Sequence, residues 1–185
     1  LLDKLWSHST EIAGIVSLLC KRCAIDEEAA EYTYVGGLLH DIGKIILEGR
    51  HPQTYKALAG ICTRKWIPVS VVEDLIEGVN HTFIGAKMAA RWNIPERIVS
   101  IIRYYRTPLS APADIQPSAK IIYLAHIIWY RLRGEPGEVE VEESILDGFR
   151  LAGGADLSSL AQYVQEQLAK EDISDDRPSE TPPGA

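Results

Sequence analysis

Residues 35–47 read Val35-Gly36-Gly37-Leu38-Leu39-His40-Asp41-Ile42-Gly43-Lys44-Ile45-Ile46-Leu47. An adjacent His–Asp pair lies in a run otherwise built of Leu, Ile, Val, Gly and one Lys. The apolar residues predict burial on a helix that starts near Asp26, its N-cap, with Glu27 and Glu28 favouring the helix dipole in the first turn. A buried imidazole needs a partner, or it costs about 1–3 kcal/mol. Glycine is costly inside a helix, so Gly36, Gly37 and Gly43 around the pair point to close helix packing or a local break. Lys44 follows Asp41 by three residues. On a helix that is a nearby face, where its ammonium would meet a phosphate or simply water.

Outward from this run the chain reads as helices joined by short loops. Upstream, Leu5, His8, Ile12, Ile15, Val16 and Leu19 form one helical stripe. Downstream, Pro52 opens a helix to about Trp66, and Pro68 opens another through Val71, Val72, Leu75 and Ile76. A further helix begins near His81, with Ile84, Met88 and Trp92 on one side. Pro95 sits at the first turn of the next, where Ile94, Ile98, Ile101, Ile102 and Tyr105 mark an apolar face. A proline-rich loop leads to residues 119–132, AKIIYLAHIIWYRL, apolar nearly all round, which predicts the buried central helix of an all-α domain. It is too short and interrupted for a membrane span, which needs ~20 apolar residues. Two last helices are expected near 142–152 and 156–172, with Asp156 as a cap. The fold class is therefore all-α, a compact bundle of eight to nine helices.

Four of the five histidines (His8, His40, His81 and His126) fall on these inner faces, and His51 reads as a surface loop residue. Each alone is more often a satisfied core residue than a ligand. Four with a carboxylate are harder to dismiss, since a shared metal would satisfy several rings at once. Neutral imidazoles with a carboxylate suit Zn, Fe, Mn or Ni rather than Ca.

The bulk numbers exclude some classes. The chain has 185 residues, 19 Lys plus Arg and 26 Asp plus Glu, a net charge of −7 and a pI near 5.3. This acidity argues against a nucleic-acid binder, whose footprint is basic. The last fifteen residues hold five acids, one base and three prolines. They predict a disordered acidic tail over 171–185 behind a helical domain over 1–170. Three cysteines make no disulfide framework and point to a reducing, cytoplasmic setting. Cys20-x-x-Cys23 lacks the second pair of a zinc site and reads as packing. Trp6, Trp66, Trp92 and Trp129 also read as core. The start at Leu1 has no signal-peptide pattern and reads as a fragment or trimmed chain.

The segment GLLHDIGK resembles the HD superfamily of metal-dependent phosphohydrolases. Its surroundings are similar to one branch, the HDOD domains (HD-related output domains) of bacterial signalling proteins. LWSHSTEIAGIVSLLCKR carries that branch's Trp-x-His-Ser helix, and GLLHDIGKIIL carries its core motif. NHTFIGAKMAARWNIPERIVSIIRYYRTP matches the later helix pair. AKIIYLAHIIW matches the helix that usually bears the family's last Asp. The likeness spans about residues 1–130 in the right order. It implies that His8, His40 and Asp41 are metal ligands, that His81 is a further ligand in two-metal relatives, and that Lys44 approaches substrate phosphate. Asp41 and Lys44 are then the catalytic candidates.

Two departures modify this. Tyr104–Tyr105 stands where HDOD and HD-GYP relatives commonly have a His–His pair, and His126 stands where the ligand set ends in Asp. Tyrosine is a poor ligand near neutral pH. The expectation is one divalent ion (Mn, Fe, Zn, Ni or Mg) rather than two, on His8, His40, Asp41 and His126. Arg103 and Arg106, with Lys44, Tyr104 and Tyr105, are candidate anion contacts. The branch usually has a helical half before the Trp-x-His-Ser helix, so this is the C-terminal half of a larger HDOD protein or a free-standing HD domain. Three functions follow: a signal-transduction module with a degenerate site and weak or no hydrolase activity, a metal-dependent phosphohydrolase of a nucleotide or other phosphate ester, or a metal-free helical interaction domain. The implied partners are a signalling protein or attached domain and a nucleotide or phosphate ligand, with no nucleic acid and no membrane.

Overall fold

Helix α1, Leu2–Arg22, turns Ile12, Val16 and Leu19 inward with no exposed surface, while Asp3, Lys4 and Lys21 stay outside. The apolar stripe expected from the sequence thus faces the core. In the computed structural model residues 2–65, 72–73, 80–134, 141, 143–146, 149 and 157–175 are described. Among them the elements after α1 are α2 (Glu27–Leu39), α3 (Ile42–Arg50), α4 (Pro52–Lys65), α5 (His81–Arg91), α6 (Glu96–Tyr104), a 3-10 turn (Pro108–Ser110), α7 (Gln116–Arg133), α8 (Glu143–Leu146) and α9 (Leu157–Asp175). The fold is all-α.

Helix α7 is the centre. Ala119, Ile121, Ile122, Leu124, Ala125, Ile127 and Ile128 are at most 1% exposed, as its all-round apolar pattern requires. Helices α1, α2, α6 and α9 pack around it. Each buried Ile or Leu contributes about 1.5–3 kcal/mol. The buried Thr33 hydroxyl on α2 joins Ser118 Oγ on α7 at 2.7 Å, so the polar atoms between the two helices are satisfied. Helices α3 and α5 form a second layer against α6 and α2.

Four expectations need correction. The run 35–47 is not one helix: it breaks at His40–Asp41, and Asp41 sits at φ −98°, ψ 9°. A continuing helix would need the Gly37 carbonyl for the Asp41 N–H. His40 Nδ1 takes that carbonyl instead, at 2.6 Å. Second, α9 ends at Asp175, past the helix end expected near 172. Third, Trp6 and Trp92 are 62% and 53% exposed and are not core. Trp6 lies on the outer side of α1, whose opposite face fills the interior, and Trp92 is the C-cap just past the end of α5. Fourth, Pro95 caps α6 from outside, and the helix proper starts at Glu96. Of the helix expected near 142–152 only α8 is described, and most of the Pro68 helix, Trp66, Asp156 and 176–185 lie outside the described residues.

Candidate metal centre

The break between α2 and α3 presents His40 and Asp41 side by side, 0% and 1% exposed. Close approach makes this possible. A Cβ on Gly43 would lie 1.9 Å from the His81 carbonyl oxygen, so only glycine lets α3 meet the start of α5. On α5 itself, Asn80 caps the first turn by accepting from the Phe83 N–H. His81 follows at the first helical position and points inward, fully buried. Helix α1 contributes His8, and α7 contributes His126.

His8, His40, Asp41 and His126 each offer one ligand atom, and these atoms lie within 4.8 Å of one another. Asp41 Oδ2 is 3.3 Å from His40 Nε2 and 3.5 Å from His8 Nε2. His40 Nε2 and His126 Nε2 face each other at 2.7 Å. A tetrahedral ion with bonds of ~2.1 Å has ligand–ligand edges of about 3.4 Å, so the set needs only small shifts to close on one. His40 Nδ1 donates to the Gly37 carbonyl, which leaves the Nε2 lone pair for a ligand role. His8 Nδ1 is buried without a hydrogen-bond partner.

Electrostatics favour the same role. Burial lowers the His8 pKa to about 3, with Asp41 opposing. Burial and the neighbouring His40 and His8 hold His126 well below the usual histidine range. These two rings are therefore neutral at pH 7. Burial would raise the Asp41 pKa, but His40 and Lys44 outweigh it and hold the carboxyl well below the usual range. Neutral imidazoles beside an ionised carboxylate fit a divalent cation in the borderline class.

Asp41 faces a different group through its other oxygen. Tyr105 donates its hydroxyl proton to Asp41 Oδ1 at 3.1 Å, and His81 Nε2 lies 2.6 Å from the same hydroxyl. Behind the ring, His81 Nδ1 makes a short contact with Glu73 Oε2. Burial and the Lys44 charge lower the His81 pKa, with Glu73 opposing. Burial and Asp41 push Tyr105 well above the usual phenol range, so the hydroxyl keeps its proton. The structure thus brings His81 to the site but onto the opposite side of Asp41 from His8, His40 and His126.

Lys44 also reaches the site. Its Nζ bonds Asp41 Oδ2 at 2.7 Å, and this pairing outweighs burial and raises its pKa. Tyr104 packs against the main core, and Arg103 lies over the rings of Phe83 and Tyr104 at 5.2 and 5.8 Å. Arg106 exerts its charge on Tyr105. Of these anion candidates Lys44 and Tyr105 contact Asp41, and Arg103 stacks on aromatic rings. Among the described residues the three cysteines are buried and free. Burial pushes Cys20 up to about 12 and Cys23 up to about 11, so packing is their role here.

Two groups escape a reading of the sequence. Glu73 lies in VVEDLIEG, where an acid among other acids reads as a solvated face. Glu11 accepts from Trp129 Nε1 at 2.7 Å and from Arg133 at 2.6 Å, and Trp129 packs edge-on against His8 at 4.4 Å. Spacing gives one signal for Glu11, since it stands one turn after His8 as Trp129 stands one turn after His126.

A profile of the HDOD domain matches residues 1–108. The chain belongs to the HDOD family. The match includes His8, His40, Asp41, His81 and Tyr105, and His126 lies beyond it. An uncharacterized protein of Treponema pallidum (strain Nichols) is 27% identical over 168 residues, which is 91% of this HDOD chain and 33% of the relative. The chain thus spans about a third of that relative's length. Solved structures share the fold. A candidate signal transduction protein from Marinobacter aquaeolei VT8 gives a TM-score of 0.73 at 20% identity, over 91% of this chain and 37% of that one. An HDOD domain protein with unknown function from Geobacter sulfurreducens gives 0.66 at 22%, over 92% and 59%. A candidate phosphohydrolase from Shewanella amazonensis SB2B gives 0.65 at 23%, over 90% and 60%.

Proposed function

We propose that this HDOD chain is a signal-transduction output domain. Its HD site is reduced to a single metal centre with weak or no hydrolase activity. The observation that carries this reading is the convergence of four protein donors, His8, His40, Asp41 and His126, within 4.8 Å of one another. Four protein ligands complete a tetrahedral shell, which is the pattern of structural sites; catalytic sites keep a position for water. The donors come from α1, from the α2–α3 junction and from α7. A bound ion would therefore tie three elements that are distant in sequence. An ion here would supply Lewis acidity to any oxygen that reached it. In this chain Asp41 and Lys44 neutralise each other. The partner in this reading is an attached domain or a signalling protein, and the buried free thiols suit a reducing cytoplasm.

The test is a panel of nucleotides and phosphodiesters with Mn, Mg or Ni added. We expect turnover no higher than that of Asp41→Ala. Turnover that Asp41→Ala abolishes overturns the weak-activity reading and favours the second one, a metal-dependent phosphohydrolase. The observation in favour of that second reading is Lys44, whose ammonium is one hydrogen bond from the centre. The metal-free interaction domain is the third reading, and a stoichiometric metal excludes it.

A further inference from the structure

Asp41 divides its two oxygens between two neighbourhoods. Oδ2 faces His8, His40 and Lys44. Oδ1 lies 3.5 Å from His81 Nε2, about the edge of a coordination sphere with ~2.1 Å bonds. Next to this pair is Glu73, whose side chain is fully buried and whose Oε1 has no hydrogen-bond partner. A carboxylate oxygen and an imidazole nitrogen are two donors of a cation position, with Glu73 behind the imidazole on its Nδ1 side. The Tyr105 hydroxyl fills it instead, touching both Asp41 Oδ1 and His81 Nε2.

We propose that Tyr105, seated by His81 and Glu73, occupies a second cation position beside Asp41 and so limits this chain to one ion, held through Asp41 Oδ2. This rests on the single-centre reading above and assigns the device that enforces it. The hydroxyl does what a bridging ion would do to Asp41: it fixes Oδ1 and leaves the other oxygen to the histidine trio. Its single proton goes to the carboxylate, so its oxygen accepts from His81 Nε2–H. Glu73 Oε2 sits against the other ring nitrogen, Nδ1, and fixes where the ring lies. Tyr105 and Glu73 are positioning residues here, since they act on the ion through Asp41 and His81.

The experiment is a titration of metal-free protein with Co(II). Ions per chain are counted by equilibrium dialysis, and coordination is read from the visible ligand-field bands. Wild type takes one equivalent. Tyr105→Phe keeps the ring and the fold, still takes one equivalent, binds it about 10–100-fold more loosely and shifts the bands as Asp41 turns. Glu73→Gln shifts the same bands without changing the count. Tyr105→Ala, which opens the space, takes a second, weaker equivalent. Two equivalents on wild type overturn the proposal, as do wild-type bands and affinity in Tyr105→Phe. If Tyr105→Ala does not fold, Tyr105→Phe decides. No binding by wild type removes the metal centre itself and this inference with it, a result distinct from normal binding that ignores Tyr105.

Discussion

At the scale of single residues, the site keeps bases uncharged in a buried place. His8, His81 and His126 have lowered pKa values in the folded chain, all with burial as the first cause. In the unfolded chain each takes a proton near pH 6.5. Below that pH the unfolded state binds more protons than the folded one, so stability falls as pH falls. For His8 the loss ends near pH 3. Each ring adds a slope of up to about 1.4 kcal/mol per pH unit. The depressed Asp41 acts lower: its contribution is present above the unfolded value near 3.9 and is lost only below it. We therefore expect the guanidinium unfolding midpoint of metal-free protein to drop clearly between pH 7.5 and 5.5. An unchanged midpoint would mean that the rings charge without unfolding. His8, His40 and His126 were legible because a histidine on an apolar stripe has few other uses when three others share its fate. Glu73 was not, because nothing in VVEDLIEG separates a buried acid from its neighbours until the chain brings it behind His81.

At the scale of elements, glycine spacing sets how closely helices meet. Gly43 and Gly14 make opposite predictions. A Cβ at position 43 strikes the His81 carbonyl, a backbone atom that cannot rotate away. Gly43→Ala should cost at least the upper end of the roughly 1–3 kcal/mol of overpacking, and it should also push His81 off Asp41. Gly14 lies inside α1 with nothing within 4 Å of its would-be Cβ. Gly14→Ala should stabilise by about 0.5–1 kcal/mol. Thermal or denaturant unfolding of the two variants checks both signs, and a Gly43→Ala protein as stable as wild type would refute the close approach. The sequence already raised a break or tight packing around His40–Asp41, and both are present. It could not tell where the helix stops, because that depends on the His40 ring taking the Gly37 carbonyl, a local competition that periodicity does not register.

At the scale of the whole molecule, the core and the candidate centre are one object. The helix that is apolar all round, α7, runs through the middle and carries His126 among residues with no exposed surface. Its composition made the all-α fold and its buried centre readable in advance. The exposed Trp6 and Trp92 were misread because a large apolar side chain at helical spacing looks the same on an outer face. Among the described residues no helix is long and apolar enough to cross a membrane. Since His8, His40, Asp41 and His126 draw on three separate parts of the chain, a metal held by them stabilises the folded state, and does so more as free metal rises above its dissociation constant. The most direct measurement is the metal content of the purified protein, wild type beside His126→Ala, by plasma mass spectrometry after exhaustive dialysis. We expect about one divalent ion per wild-type chain and a large loss in His126→Ala. A wild-type protein without stoichiometric metal, or a variant that keeps its ion, would contradict a four-ligand centre.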